Sequence, residues 1–264
     1  MSRPESHWLS SDGWLSESLG KAAYRLAVDD ALVDAGDVAA RDARERLVDL
    51  AATESFVYAK VSSDRIDYVR WLENEGFSLV DTTITLRKQV TDGGRGDGAP
   101  SPSFSVAMAL PEDEDGVARV AGRSFVHSRF HADPLIPDHT ADAIKERWAR
   151  NFFRNRRGDA MVAAKQDGTV IGFNQLLKPE DTRLIIDLIA VDAAHQGRGV
   201  AREMIRFAEA SFPGIAEVVV GTQLANVASL HLYQSAGFRM WGSAYAYHRH
   251  GGPGKSHENR RLRP

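Results

Sequence analysis

The chain of 264 residues contains no cysteine. Disulfides, thiolate metal sites and cysteine nucleophiles are thereby excluded. No charge of one sign dominates either: 33 Lys and Arg stand against 36 Asp and Glu, for a formal net charge of −3. That balance suggests neither nucleic acid nor a membrane surface as a global partner. No apolar run approaches the length of a membrane span. The opening Met-Ser-Arg-Pro-Glu-Ser-His has no apolar core behind its charge, so no secretory signal is expected. The expected location is the cytoplasm. Among the nine histidines only His127 and His131 stand four apart, in a polar stretch without helical periodicity. His248, His250 and His257 lie near or in a polar tail, and no metal site is expected. What is present is enough chain for one large domain or two small ones with ample core.

The organisation is read from where apolar periodicity stops. Residues 91–103 are Gly, Pro, Ser and Asp with little apolar anchorage, and they read as a flexible linker. The Arg95-Gly96-Asp97 triplet inside is read as part of that linker. Residues 251–264 carry Lys255, Arg260, Arg261 and Arg263 among small polar residues and read as a disordered tail. Two α/β domains are expected, 1–90 and 104–250. The first reads as strand Ala22 to Val28, helix Val38 to Ala52, strand Ser55 to Val61, helix Arg65 to Glu75 and strand Phe77 to Arg87. The second reads as strand Phe104 to Ala109, helix Glu112 to Phe125, a polar loop His127 to Asp138 and helix Ala141 to Arg154. Strands Ala160 to Lys165, Val170 to Leu177 and Arg183 to Val191 follow. A helix ending at Phe212, strand Ala216 to Gly221, a helix from Asn226 and strand Ala244 to His248 complete it.

Chemistry concentrates at Gln196-Gly197-Arg198-Gly199-Val200-Ala201, between the apolar strand ending at Val191 and the helix that follows. A strand, a glycine turn and a helix make a socket for a pyrophosphate. The first-turn N–H groups of the helix lack intrahelical partners, its dipole is positive there, and glycines leave the backbone bare. No Gly-Lys-Ser/Thr follows, and no G-x-G-x-x-G is present. Some thirty residues on stands Asn226-Val-Ala-Ser229-Leu-His-Leu-Tyr233-Gln-Ser-Ala-Gly237-Phe238.

In order and spacing these two segments resemble the GNAT superfamily of N-acetyltransferases. The resemblance implies a GNAT fold, a mixed central sheet with flanking helices. It also implies that acetyl-CoA is held by the backbone of Leu188, Ile189, Ala190 and Val191, by the Gln196–Ala201 turn, and by Asn226, Ser229 and Tyr233. Tyr233 then serves as general acid toward the thiolate, since a phenol is mostly protonated at neutral pH. Asp187, inside the cofactor strand, and Asp81 are rival base candidates, and deprotonation through water is a third route. Trp71–Phe77 aligns with Leu232–Phe238, each closing a helix with glycine, so the first half reads as a truncated GNAT-like relative that has Leu72 where the tyrosine would stand.

The segments Ser124–Pro134 and Trp148–Asn151 look like the acceptor region of the bacterial TDP-fucosamine acetyltransferases. That resemblance implies a small-molecule partner, a nucleotide-linked deoxyaminosugar, met by Arg129, His131, Trp148 and Asn151. His131-Ala-Asp-Pro departs from a more aromatic stretch in that family. Six basic residues between Lys145 and Arg157 read singly as a solvated face and together as a possible attraction for a diphosphate. A homodimer is left open. The alternatives are transfer to a protein N-terminus, an antibiotic or a small amine, or a CoA-binding module without catalysis.

Overall fold

A computed structural model describes residues 8–34, 36–90 and 103–252. The chain begins with β1 (Leu9–Ser11), α1 (Gly13–Leu19), β2 (Ala22–Leu26), α2 (Asp30–Val33), α3 (Val38–Ala51), β3 (Ser55–Ser62), α4 (Ile66–Asn74) and β4 (Ser78–Gln89). It continues with β5 (Ser105–Met108), α5 (Glu114–Ser124), α6 (Asp138–Phe153), β6 (Ala160–Gln166), β7 (Thr169–Glu180) and β8 (Arg183–Val191). The last elements are α7 (Val200–Ser211), β9 (Glu217–Gln223), α8 (Val227–Ser235) and β10 (Arg239–His250). Contacts divide the chain into one unit of Met1–Thr83, Ala132–Ile136 and Ser243–Pro264 and a second of Ile84–His131 and Pro137–Gly242. Residues 91–102 of the expected linker 91–103 and residues 253–264 of the expected tail 251–264 lie outside the described residues. Among the described residues no helix is long and apolar enough to cross a membrane.

In the first unit the strands run β1-β2-β3-β10. β2 and β3 are parallel, and β1 and β10 pair antiparallel on either side. A parallel pair needs a crossover, and α3 supplies it. Its Ala40, Ala43, Leu47 and Leu50 fall on one buried stripe. The N-terminus of α3 is closed by its own chain, because the Asp37 carboxylate accepts from the Ala39 N–H at 2.8 Å.

The internal echo extends to hydrogen bonds. Phe77 N–H donates to Leu72 O and Phe238 N–H to Tyr233 O, each at 2.9 Å. Gly76 N–H and Gly237 N–H donate to Glu73 O and Gln234 O, each at 3.1 Å. Both glycines hold a left-handed φ, 79° and 93°.

The sequence reading leaves His248 and His250 near or in a polar tail; both are instead buried in β10. They face Asp133, whose Oδ2 accepts from Nδ1 of His248 and Nε2 of His250, each at 2.7 Å. Lys21 Nζ, which can only donate, lies 3.0 Å from Nδ1 of His250. The proton of that ring therefore sits on Nε2, toward Asp133, and the three residues form a hydrogen-bonded triad. His257 lies outside the described residues. Gly251 and Gly252 continue the order, their N–H groups donating to Ser55 O and Ala51 O at 3.0 Å.

The second unit orders its strands β4-β9-β8-β7-β6-β5, antiparallel from β5 to β8 and parallel from β8 to β9. Its two faces carry separate cores. On one, Val200, Met204, Ile205 and Ala208 of α7 pack with Leu184 and Ile186; on the other, Val117, Val120 and Ala121 of α5 and Ala149 of α6 pack with Leu188 and Ala190. The strand changes phase between Ile186 and Leu188. In the β7 register Ile186 opposes Leu176 and Leu188 opposes Gln175, which leaves Asp187 as the extra residue of a β-bulge.

Burial works against ionised Asp133, but the His248 and His250 hydrogen bonds outweigh it and hold the carboxyl well below the usual range. Asp133→Asn is expected to cost about 3 kcal/mol of stability at neutral pH, as for other broken buried polar pairs. A depressed folded-state value means stabilisation present above the unfolded value and lost as pH falls. The gap between wild type and variant in urea unfolding should therefore narrow below about pH 4. A gap that stays constant to low pH would refute this account.

Candidate active site

The bulge decides what the site contains. Asp187 keeps the alternation of the strand before it, so its carboxylate faces α5 and α6, and the extra residue brings Leu188 to the same face; there Trp148 Nε1 donates to Oδ2 at 2.9 Å. Arg157 Nε and Gln175 Nε2 donate to the same oxygen at 2.7 and 3.1 Å, and the Arg157 Nη2 group reaches Oδ1 at 2.5 Å. The side chain of Asp187 is 7% exposed, that of Arg157 42%. Three of the expected site residues (Asp187, Trp148 and, through its neighbourhood, Asn151) thus belong to one cluster. Asn151 lies one turn on in α6, buried, and its carbonyl accepts the N–H groups of Arg156 and Arg157 at 2.9 and 3.3 Å. Arg157 and Gln175 are the members that sequence reasoning missed as individual site residues. Only the alternation break around a central carboxylate in an apolar strand could have flagged them.

Beyond the bulge, β8 loses a neighbour. It pairs with β9 from Arg183↔Glu217 to Ile186↔Val220 and no further, although β8 runs on to Val191 and β9 to Gln223. The backbone groups of Asp187–Val191 that point to that side have no strand partner among the described residues. Backbone donors and acceptors cannot stay orphaned at low cost, so this edge suits a ligand that pairs like a strand. At its far end Asp192 fixes the turn. The Ala194 N–H above all, with His195 and Arg119, holds its carboxyl below the ordinary range.

Gln196 folds back to donate from Nε2 to Val191 O at 3.0 Å. Gly197 and Gly199 have φ of 74° and 81°, with no heavy atom within 4 Å of where a Cβ would stand. The position needs glycine for its backbone angle, and the space above it is open. Gly199 is the N-cap of α7 and provides no side-chain cap, so the first-turn N–H groups remain available. Arg198 is exposed and makes no ion pair among the described residues. Val200 is buried under the turn, and Ala201 packs partly against the same core. These features fit a pyrophosphate. In the first unit, by contrast, the Asp37 carboxylate already fills the N-terminus of α3.

Arg202 donates to Ser235 Oγ at 2.6 Å and ties α7 to α8. Asn226 caps α8 by accepting from the Ser229 N–H at 3.1 Å. Tyr233 is 2% exposed, edge-on to Phe238 with ring centroids 5.5 Å apart. Its hydroxyl takes no hydrogen bond among the described residues, and burial pushes its pKa up.

The acceptor-region residues are placed less uniformly. His131 is pinned between Ser128 Oγ at 2.7 Å and Asp142 Oδ1 at 3.0 Å. The Arg129 guanidinium lies 4.6 Å from the Phe130 ring centroid. Of the six basic side chains, Arg150 binds Glu114, Asp115 and Glu146, while Arg157 binds Asp187. Much of their charge is neutralised within the chain. Asp81 belongs to the start of β4, which up to Thr83 falls in the first unit.

A mixed sheet split between two parallel strands, with a glycine turn and helix at the split and flanking helices on both faces, is the GNAT acetyltransferase fold. Residues 125–238 match the model of the acetyltransferase (GNAT) family. The spore coat polysaccharide biosynthesis protein SpsD of Bacillus subtilis is 33% identical over 149 residues, 56% of this chain and 51% of that protein. The chain thus spans about half of SpsD's length. The dTDP-fucosamine acetyltransferase of Escherichia coli is 26% identical over 207 residues, 76% of this chain and 84% of that protein. Among solved structures, a GCN5-related N-acetyltransferase from Sphaerobacter thermophilus aligns with a TM-score of 0.60 at 15% identity, covering 88% of this chain and 74% of its own.

Gly199→Ala is expected to destabilise the protein by about 1–2 kcal/mol through left-handed backbone strain, with no steric contribution. Thermal unfolding checks this; an unchanged midpoint would mean that the turn is not held in the left-handed region.

Proposed function

We propose that the protein transfers an acetyl group from acetyl-CoA to the amine of a nucleotide-linked deoxyaminosugar. The observation that carries the transferase reading is the Tyr233 phenol, its ring on the same core as the split between β8 and β9 and its hydroxyl without a hydrogen bond among the described residues. The sugar acceptor rests on the names of SpsD and of dTDP-fucosamine acetyltransferase. Acetyl-CoA supplies the activated acetyl thioester and an anionic diphosphate. The Gln196–Ala201 turn and the α7 N-terminus would hold the diphosphate, and the free edge of Leu188–Val191 would pair with the pantetheine arm, with Asn226 and Ser229 alongside. Backbone N–H groups on that edge are preorganised donors for the oxyanion that forms when the amine attacks the carbonyl.

Tyr233 then gives its proton to the departing thiolate. Its burial keeps that proton in place at physiological pH. Asp187 already accepts from three side chains, which favours Asp81 or water as the route for the amine proton. Arg129, His131, Trp148 and Asn151 are assigned to the acceptor. The first unit is read as a degenerate GNAT-like half, supported by the helix–glycine echo, Leu72 in place of tyrosine and the self-capped α3. The reaction is assigned to the cytoplasm.

Thiol release from acetyl-CoA should be measured against a panel of aminosugar nucleotides, peptides with free N-termini, aminoglycosides and polyamines. Turnover confined to the non-sugar amines would overturn the acceptor assignment. Tyr233→Phe should lower kcat about 100-fold or more while leaving acetyl-CoA affinity unchanged. Because the neutral phenol is the acid and its pKa is raised, wild-type kcat should persist to pH 10. Unchanged turnover in Tyr233→Phe would remove the general-acid role.

A further inference from the structure

The Asp187 cluster does more than fill an apolar strand. We infer that Arg157 is an acceptor-recognition residue, held by Asp187 so that its outer N–H groups donate to a neutral, oxygen-bearing acceptor such as the hydroxyls of a sugar. The inference rests on the proposed transfer reaction and specifies which part of the acceptor is read.

Four features converge on this side chain. Asp187 takes its Nε and one terminal nitrogen in a two-point fork, the geometry in which guanidinium orientation is best defined. The indole of Trp148, itself bonded to the same carboxylate, lies 4.9 Å from the guanidinium carbon. The backbone is locked as well. Asn155 holds a left-handed φ of 52°, Arg157 N–H returns to Asn151 O, and Gly158 has φ of 100°. A Cβ on Gly158 would stand 3.1 Å from both Gln175 Cγ and Phe152 Cδ2. Finally, the side chain remains 42% exposed although its partner is 7% exposed. A long cation thus loses its rotamer freedom before any ligand arrives, which is the condition for directional recognition.

The charge sets the class of ligand. The carboxylate cancels the monopole of the guanidinium, so the pair offers aimed donors without a strong field. Such a pair suits hydroxyl and ring oxygens better than a diphosphate, which would be drawn to uncompensated cations. Asp187 is on this account a positioning residue, acting through Arg157, and the bulge sets Leu188 beside it on the same face.

The test is a double-mutant cycle on the full-length protein, with whichever amine of the panel above the wild type acetylates. Arg157→Ala should raise acceptor KM about 10- to 100-fold, as for loss of hydrogen bonds to a charged group, with acetyl-CoA affinity retained. Arg157→Lys, which keeps the charge and loses the fork, should stay impaired. Asp187→Asn should give the same KM-weighted defect without changing the acid limb of the kcat–pH profile, and the double variant should be no worse than Arg157→Ala. Arg154→Ala, which removes an exposed neighbouring cation, should leave KM unchanged. With acceptor analogues that each lack one ring hydroxyl, one analogue should abolish the Arg157→Ala penalty.

An Arg157→Ala KM within twofold of wild type overturns the inference while leaving the proposed reaction intact. So does loss of the acid limb in Asp187→Asn, which would make that carboxylate the base. If only non-sugar amines are turned over and Arg157→Ala still raises their KM, the sugar assignment falls and the recognition role stands. A protein that acetylates none of the panel overturns both.

Discussion

One extra residue in a strand is the constraint on which the second unit depends. Before Asp187, even-numbered side chains of β8 pack with α7; after it, odd-numbered ones do. Pairing between β8 and β9 ends just before it, at Ile186. A regular strand would have carried Leu188 and Ala190 onto the α7 face and Ile189 and Val191 off it, breaking the packing on both faces. With the bulge both cores stay filled, Asp187 sits among matched donors, and next to it runs a stretch of backbone without a strand neighbour.

The sheet thereby separates two tasks by face. The α7–α8 side holds the glycine turn, the open helix end and Tyr233, all suited to a long anionic carrier molecule. The α5–α6 side holds Asp187, Arg157, Trp148 and Gln175, where charges are paired and geometry rather than field does the selecting. The first unit shows the same helix–glycine–strand joint. Asp37 closes the helix end that would receive an anion, and Leu72 fills the position of the phenol.

What was legible in the residues followed the range of the forces involved. The glycine turn at 196–201, the Asn226 cap and the helix–Gly–Phe joints are local, so their chemistry is written within a few neighbouring positions. The strands and longer helices appeared from periodicity, within a few residues of their observed ends. β1, α1 and α2 did not, because short elements carry too few apolar repeats. The polar context of His248 and His250 suggested a tail. Their environment is set by Asp133, more than a hundred residues earlier, and no local pattern encodes such a pairing. Asp187 drew notice as a charge in an apolar strand. Its partner Arg157 stood among five other basic residues, with nothing nearby to single it out.

The bulge also makes β8 behave like a reading frame. Had Asp187 taken an ordinary place in the ladder, every side chain would be chemically unchanged, yet Leu188 to Val191 would all exchange faces. Deleting residue 187 would instead leave those four on their present faces and remove only the carboxylate and the extra step. The way one residue is accommodated between Ile186 and Leu188 is therefore as much a structural element as any side chain in the site.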